Sequence, residues 1–115
     1  MKITNTKFAG LKIINSEKFT DSRGEFRELF RKNVVSAKKD FKFTCYSRSK
    51  KNVLRGLHLQ KPNAQGKYIT VTKGKILDVA VDLRKKSKNF GKHYSIIISD
   101  KSDFSFYIPA DFAHG

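Results

Sequence analysis

The sequence predicts an all-β fold of the sandwich or jelly-roll kind. Two observations carry this. The second half of the chain is built of short runs that alternate apolar and polar residues. Turn signals separate those runs at close, regular spacing. In chain order, Leu11, Ile13 and Ile14 mark a first strand, and Asp21-Ser22-Arg23-Gly24 is a turn. Beyond it, Phe26, Glu28 and Phe30 alternate with Arg27, Leu29 and Arg31, a strand pattern, and residues 33–41 suit a short helix. Lys73-Gly74 turns between the runs Tyr68–Thr72 and Ile76–Leu83. In the latter, Leu77, Val79, Val81 and Leu83 share one face, and Ile76, Asp78, Ala80 and Asp82 the other. Tyr94–Ser99 and Phe104–Ile108 are two further strands around the turn Asp100–Asp103. No linker divides the chain, so residues 1–115 read as one domain.

Composition narrows the class. A chain of 13.2 kDa folds to roughly 6,400 Å² of surface from about 19,000 Å² unfolded, enough burial for a real core. No apolar run approaches the ~20 residues of a membrane span, and the N-terminus lacks the apolar stretch of a signal peptide. One cysteine, Cys45, makes neither an internal disulfide nor a zinc cluster. These features read as a soluble cytoplasmic domain. The 25 Lys and Arg against 10 Asp and Glu give a formal charge of +15, a field that suits anions, including a phosphate-bearing small ligand. The lysines are dispersed rather than gathered in one block, which argues against nucleic acid as the partner.

One stretch carries chemistry. Leu54-Arg55-Gly56-Leu57-His58-Leu59-Gln60 sets a permanent cation and a titratable base three residues apart, and Gly56 permits a bulge that brings both to one side. Lys67 follows a short loop and returns on the neighbouring strand. A histidine beside Lys and Arg suits proton abstraction next to a carbonyl, with the cations stabilising the enolate. A metal site is not indicated, since Leu59 and Gln60, not a second ligand, follow His58. His93 reads as surface, and His114 as a loop residue with a binding role open.

The segments DSRGEFRELF (21–30), SRSKKNVLRGLHLQ (47–60), QGKYITVTKGKILDVAVDLRKKS (65–87), FGKH (90–93) and IPADFAHG (108–115) together resemble the dTDP-4-dehydrorhamnose 3,5-epimerase family. The resemblance implies a cupin-type jelly roll and a homodimer whose nucleotide site is shared across the interface. It implies inversion of C3 and C5 of a dTDP-4-keto-6-deoxy sugar through enolates, in dTDP-L-rhamnose synthesis, with no metal and no organic cofactor. By motif, His58 matches the family's base and Lys67 the lysine at the C4 oxygen. Arg55 matches the diphosphate arginine and His114 the ligand-binding histidine of FAHG. Arg23 and Glu28 match residues that contact the nucleotide, with Phe26 packing that site. Asp78 and Asp82, in DVAVD, are given a structural role.

Two departures from the family pattern follow. Where the family often has Gln-Asp-Asn, this chain has Phe43, Thr44 and Cys45, whose side chains cannot reproduce amide hydrogen bonds. Family members also continue past FAHG, where they supply a tyrosine general acid and an acidic partner for the base. The jelly roll is therefore expected to be incomplete at its C-terminus. The 115-residue chain by itself is expected to be marginally folded, with an open sheet edge, and inactive or nearly so.

Overall fold

The structure, a computed structural model, describes residues 1–35 and 41–115. Nine strands are defined among them: β1 Lys2–Asn5, β2 Lys12–Asn15, β3 Lys18–Asp21, β4 Gly24–Arg27, β5 Lys67–Ile69, β6 Lys75–Asp82, β7 His93–Ser99, β8 Phe104–Ile108 and β9 Phe112–His114. They form a four-stranded sheet in the order β1-β2-β8-β5, a three-stranded sheet β7-β6-β9 and the hairpin β3-β4. All of these pairings are antiparallel.

The core lies between the two larger sheets. Phe106 and Ile108 of β8 meet Ala80 of β6, Ile98 of β7 and Phe112 of β9, with Phe8 and Leu11 from the β1–β2 connection closing one end. The other face of the four-stranded sheet carries Ile14 and Tyr107, covered by Val35 and Phe41. Alternation therefore sorts the side chains of the outer sheet to two covered faces. The three-stranded sheet differs. Its inner face holds Asp78, Ala80 and Asp82, all buried, whereas Leu77 and Ile97 on its outer face are 61% and 60% exposed.

The runs expected at Ile76–Leu83, Tyr94–Ser99 and Phe104–Ile108 are β6, β7 and β8 to within a residue. The strand expected through Phe30 ends at Arg27. There the Ser16 hydroxyl donates to the Glu28 carbonyl, and the Glu28 carboxylate accepts from Arg31 at 2.7 Å. Of the helix expected over 33–41, residues 36–40 lie outside the described residues, and 33–35 are turn and bend. Residues 41–66 contain no named strand. That segment, with the outer face of the three-stranded sheet, accounts for much of the exposed apolar surface, including Leu54, Tyr46 and Phe43. The chain exposes 8,726 Å², about a third more than the ~6,400 Å² of a compact monomer of its mass.

One buried charge holds the end of β6. Asp82 is fully buried, and its carboxylate accepts from Arg84 Nε at 2.8 Å, Arg84 Nη2 at 2.7 Å and Ser87 Oγ at 2.6 Å. The Arg84 guanidinium holds the Asp82 carboxyl well below the ordinary carboxylate range, at about 2. A carboxylate depressed in the folded state stabilises above its unfolded pKa and loses that contribution as pH falls through its folded one. Asp82 therefore contributes about 2 kcal/mol that disappears between roughly pH 4 and pH 2. Urea unfolding of the protein and of Asp82→Asn across that range should show a shallower acid loss in the variant. Equal slopes would remove Asp82 from the account.

Candidate active site

Register places the site residues. Lys67 pairs with Ile108 across β5 and β8, so it points to the same side as that buried core residue, toward the three-stranded sheet. Facing it, β6 presents Asp78, and β9 presents His114, which pairs with Ala80. His58 then extends this row by one more position. Its N–H donates to the His114 carbonyl at 2.8 Å, and the His114 N–H donates back to the His58 carbonyl at 3.1 Å. Gly115 and Val79 exchange a second pair of backbone bonds, at 3.1 and 2.8 Å.

The approach of residues 55–58 to β9 depends on glycine. Gly56 has φ +98°, and a Cβ there would stand 2.7 Å from the His114 carbonyl oxygen and 2.8 Å from Gly115 Cα. Gly56→Ala should therefore disrupt the His58–His114 bridge and cost about 1–3 kcal/mol. A melting temperature equal to the parent's would show that the close approach does not matter.

The electrostatics centre on Asp78. Its carboxylate is 3% exposed, with both oxygens 3.4 Å from His114 Nδ1. A buried carboxylate needs such a partner. With Nδ1–H turned to Asp78, Nε2 of His114 is left for a ligand. Burial lowers the Lys67 ammonium pKa, and the charge of Asp78 pulls it back up. A half-buried ammonium and a carboxylate-oriented imidazole thus stand beside Asp78, and the exposed His58 is joined to His114 through the backbone. Such a set can hold an anion, polarise a carbonyl oxygen and exchange a proton with carbon.

The remaining sequence-expected residues sit elsewhere. Arg55 is exposed, its Nε donating to Ser49 Oγ at 2.8 Å. Arg23 and Phe26 lie on the hairpin, in a sheet separate from that of His114. They line a shallow concavity there with Phe19 and Asp21, and Arg23 Nη2 is held by Asp21 at 2.6 Å. Glu28 follows β4 and is paired with Arg31. The hairpin is tied to the turn beyond β7 by Lys18 on the Asp100 carbonyl and Arg27 on the Ser102 carbonyl. Sequence reasoning did not separate Asp78 from Asp82. It grouped Asp78 with Asp82 as structural, and only the pairing of β6 with β9 separates them. Asp78 meets His114, whereas Asp82 meets Arg84.

Two antiparallel sheets packed face to face, with Lys67 on one and Asp78 and His114 on the other, define a cupin-type jelly-roll protein. Residues 5–115 match the family model of dTDP-4-dehydrorhamnose 3,5-epimerase, and the chain belongs to that family. It is 41% identical over 118 residues to the dTDP-4-dehydrorhamnose 3,5-epimerase of Neisseria gonorrhoeae, covering 100% of this chain and 36% of the relative. The corresponding protein of Methanothermobacter thermautotrophicus is 40% identical, with 99% of this chain and 63% of the relative covered. Among solved structures, the dTDP-6-deoxy-D-glucose-3,5-epimerase of Legionella pneumophila, in complex with dTDP-4-keto-L-rhamnose, superposes with a TM-score of 0.91 at 40% identity. That alignment covers 98% of this chain and 62% of the structure. The chain thus spans between about a third and two-thirds of the length of these relatives. Among the described residues, no helix is long and apolar enough to cross a membrane.

Proposed function

We propose that this chain carries the base-bearing part of a dTDP-4-dehydrorhamnose 3,5-epimerase, acting on dTDP-4-keto-6-deoxyglucose in dTDP-L-rhamnose synthesis. The observation that carries the reading is the placement of Lys67 and His114 beside the buried Asp78, with His58 bridged to His114 through the backbone. The protons on C3 and C5 of such a sugar flank the C4 ketone. Nε2 or Nδ1 of His58 takes one of them as the C–H bond breaks. The electron pair moves into the carbonyl, and the Lys67 ammonium stabilises the oxygen that becomes an enolate. Asp78 keeps His114 oriented for the ligand. Arg55, together with Arg23, Phe26 and Glu28, serves the dTDP moiety, and a net charge of +15 favours that dianionic diphosphate over neutral sugars.

Placement of Arg23 and Phe26 on a hairpin apart from the His114 sheet supports a homodimer in which the hairpin of one protomer completes the site of the other. Residence in the cytoplasm follows from a dTDP-sugar substrate. Incubation of a version that continues past FAHG, as the longer relatives do, with dTDP-4-keto-6-deoxyglucose, followed by NMR of the sugar, tests the reading. Inversion at C3 and C5 is the expected product. Inversion at one centre would make the protein a mono-epimerase, and a folded, dTDP-binding protein that leaves both centres untouched would overturn the proposal.

A further inference from the structure

The geometry points to Arg84 as a positioning residue that sets His114 and His58 from outside the site. The inference deepens the proposed function, but its structural part stands without it. Strand β9 is three residues long and holds His114 at its end. Its anchor is Phe112, two residues earlier and on the same face, paired with Asp82 and 1% exposed. The Arg84 guanidinium lies over the Phe112 ring at 4.7 Å. That guanidinium is fixed on two further sides. Its Nε and Nη2 fork onto the buried Asp82 carboxylate, and Nη1 donates to the Ala9 carbonyl at 2.7 Å. Ser87 Oγ closes the remaining side of Asp82 and also accepts the Asn89 N–H, while Asn89 Nδ2 reaches the Lys7 carbonyl.

One planar cation therefore ties four pieces of chain together: the end of β6, the loop after it, the β1–β2 connection and the start of β9. The Leu83 N–H donates to the Asp111 carbonyl at 3.1 Å, so the residue before β9 is held at the same place. From Phe112 the constraint runs two residues to His114, and from the His114 backbone to His58. No strand is defined between Phe41 and Gly66, so that bridge is the principal sheet contact of the segment that carries His58. Lysine cannot replace this arrangement. It keeps the charge beside Asp82 but lacks the fork and the flat face that rests on Phe112.

Hydrogen exchange on the protein and on Arg84→Lys tests the inference. The expected result is exchange about tenfold or more faster at the His58, His114 and Gly115 amides, with the β2–β8 amides unchanged. Thr70→Ala, which removes the hydroxyl contact to Ser105 in the other sheet at 2.5 Å, serves as a control and should leave those three amides protected. If Arg84→Lys does not fold, Ser87→Ala weakens the same knot and should show the same pattern at smaller size. Uniform loss across all strands, or the same profile in Arg84→Lys and Thr70→Ala, would contradict a positioning role. In the epimerase assay, Arg84→Lys should lower kcat while dTDP affinity holds. Selective exchange without that kcat loss would retain the positioning of the two histidines and count against their catalytic use.

Discussion

His58→Asn is expected to slow proton exchange at the sugar's C3 and C5 by about 10²–10⁴-fold, with dTDP binding little changed. That range is what a positioned general base contributes. Asparagine preserves size and polarity but cannot accept a proton at neutral pH. The fold should tolerate the change, because the structural contribution of His58 is its backbone: its N–H and C=O pair with His114, and its side chain is exposed. Measured kcat and dTDP affinity would separate the two roles. A variant that keeps a tenth or more of the parent's exchange rate would show that another group takes the proton.

Lys67→Met should have the second large effect, a loss of about 10²–10³-fold in kcat, the usual size for removing one stabilising group at a developing oxyanion. Methionine retains the aliphatic length that fills the half-buried position on β5. The variant also leaves Asp78 with His114 alone as its partner. Lys67→Arg should recover little, since a planar fork does not fit where a compact ammonium is enclosed. Melting temperatures of the two variants close to the parent's would assign the loss to chemistry. If Lys67→Met retains full turnover, the enolate oxygen lies elsewhere. The depressed ammonium pKa also gives a sign. As pH rises through the lowered Lys67 pKa, the cation is lost, so turnover should fall on the alkaline side earlier than for an ordinary lysine.

The legible parts of the fold are those whose cause is local. Strands β6, β7 and β8 show alternation over five to eight residues and are bounded by Lys73-Gly74 and Asp100–Asp103, so pattern and turn chemistry suffice. Strand β9 was illegible. Three residues after a proline and Asp111, which adopts φ 66°, carry no period, and Phe112–His114 is a strand only because β6 pairs with it. Strand β1 is likewise defined by pairing, with Lys2 and Asn5 as its end residues. Alternation identified the two faces of β6 but not which one is buried. Asp78 and Asp82 are on the buried face because His114 and Arg84 partner them there.

The site was legible in part for the same reason. His58, Lys67 and His114 stand in recognisable motifs; Lys67 and His114 stand beside Asp78, and His58 meets His114 through the backbone. Asp78 looked like Asp82 because sequence spacing contains no information on which basic group each carboxylate meets. Arg23 and Phe26 lie on a hairpin in a sheet apart from that of His114, Glu28 is paired with Arg31, and Arg55 is exposed.

The most direct test of the central claim is proton NMR of dTDP-4-keto-6-deoxyglucose with the protein in D₂O. The claim is that this cluster removes a proton from carbon next to the ketone. Wash-in reports that step even where reprotonation returns deuterium to the same face, so it does not depend on a donor opposite His58. The account predicts that the H3 and H5 signals disappear with the parent protein and persist with His58→Asn. Signals that persist with a folded parent protein shown to bind dTDP, or that vanish equally with His58→Asn, would contradict it.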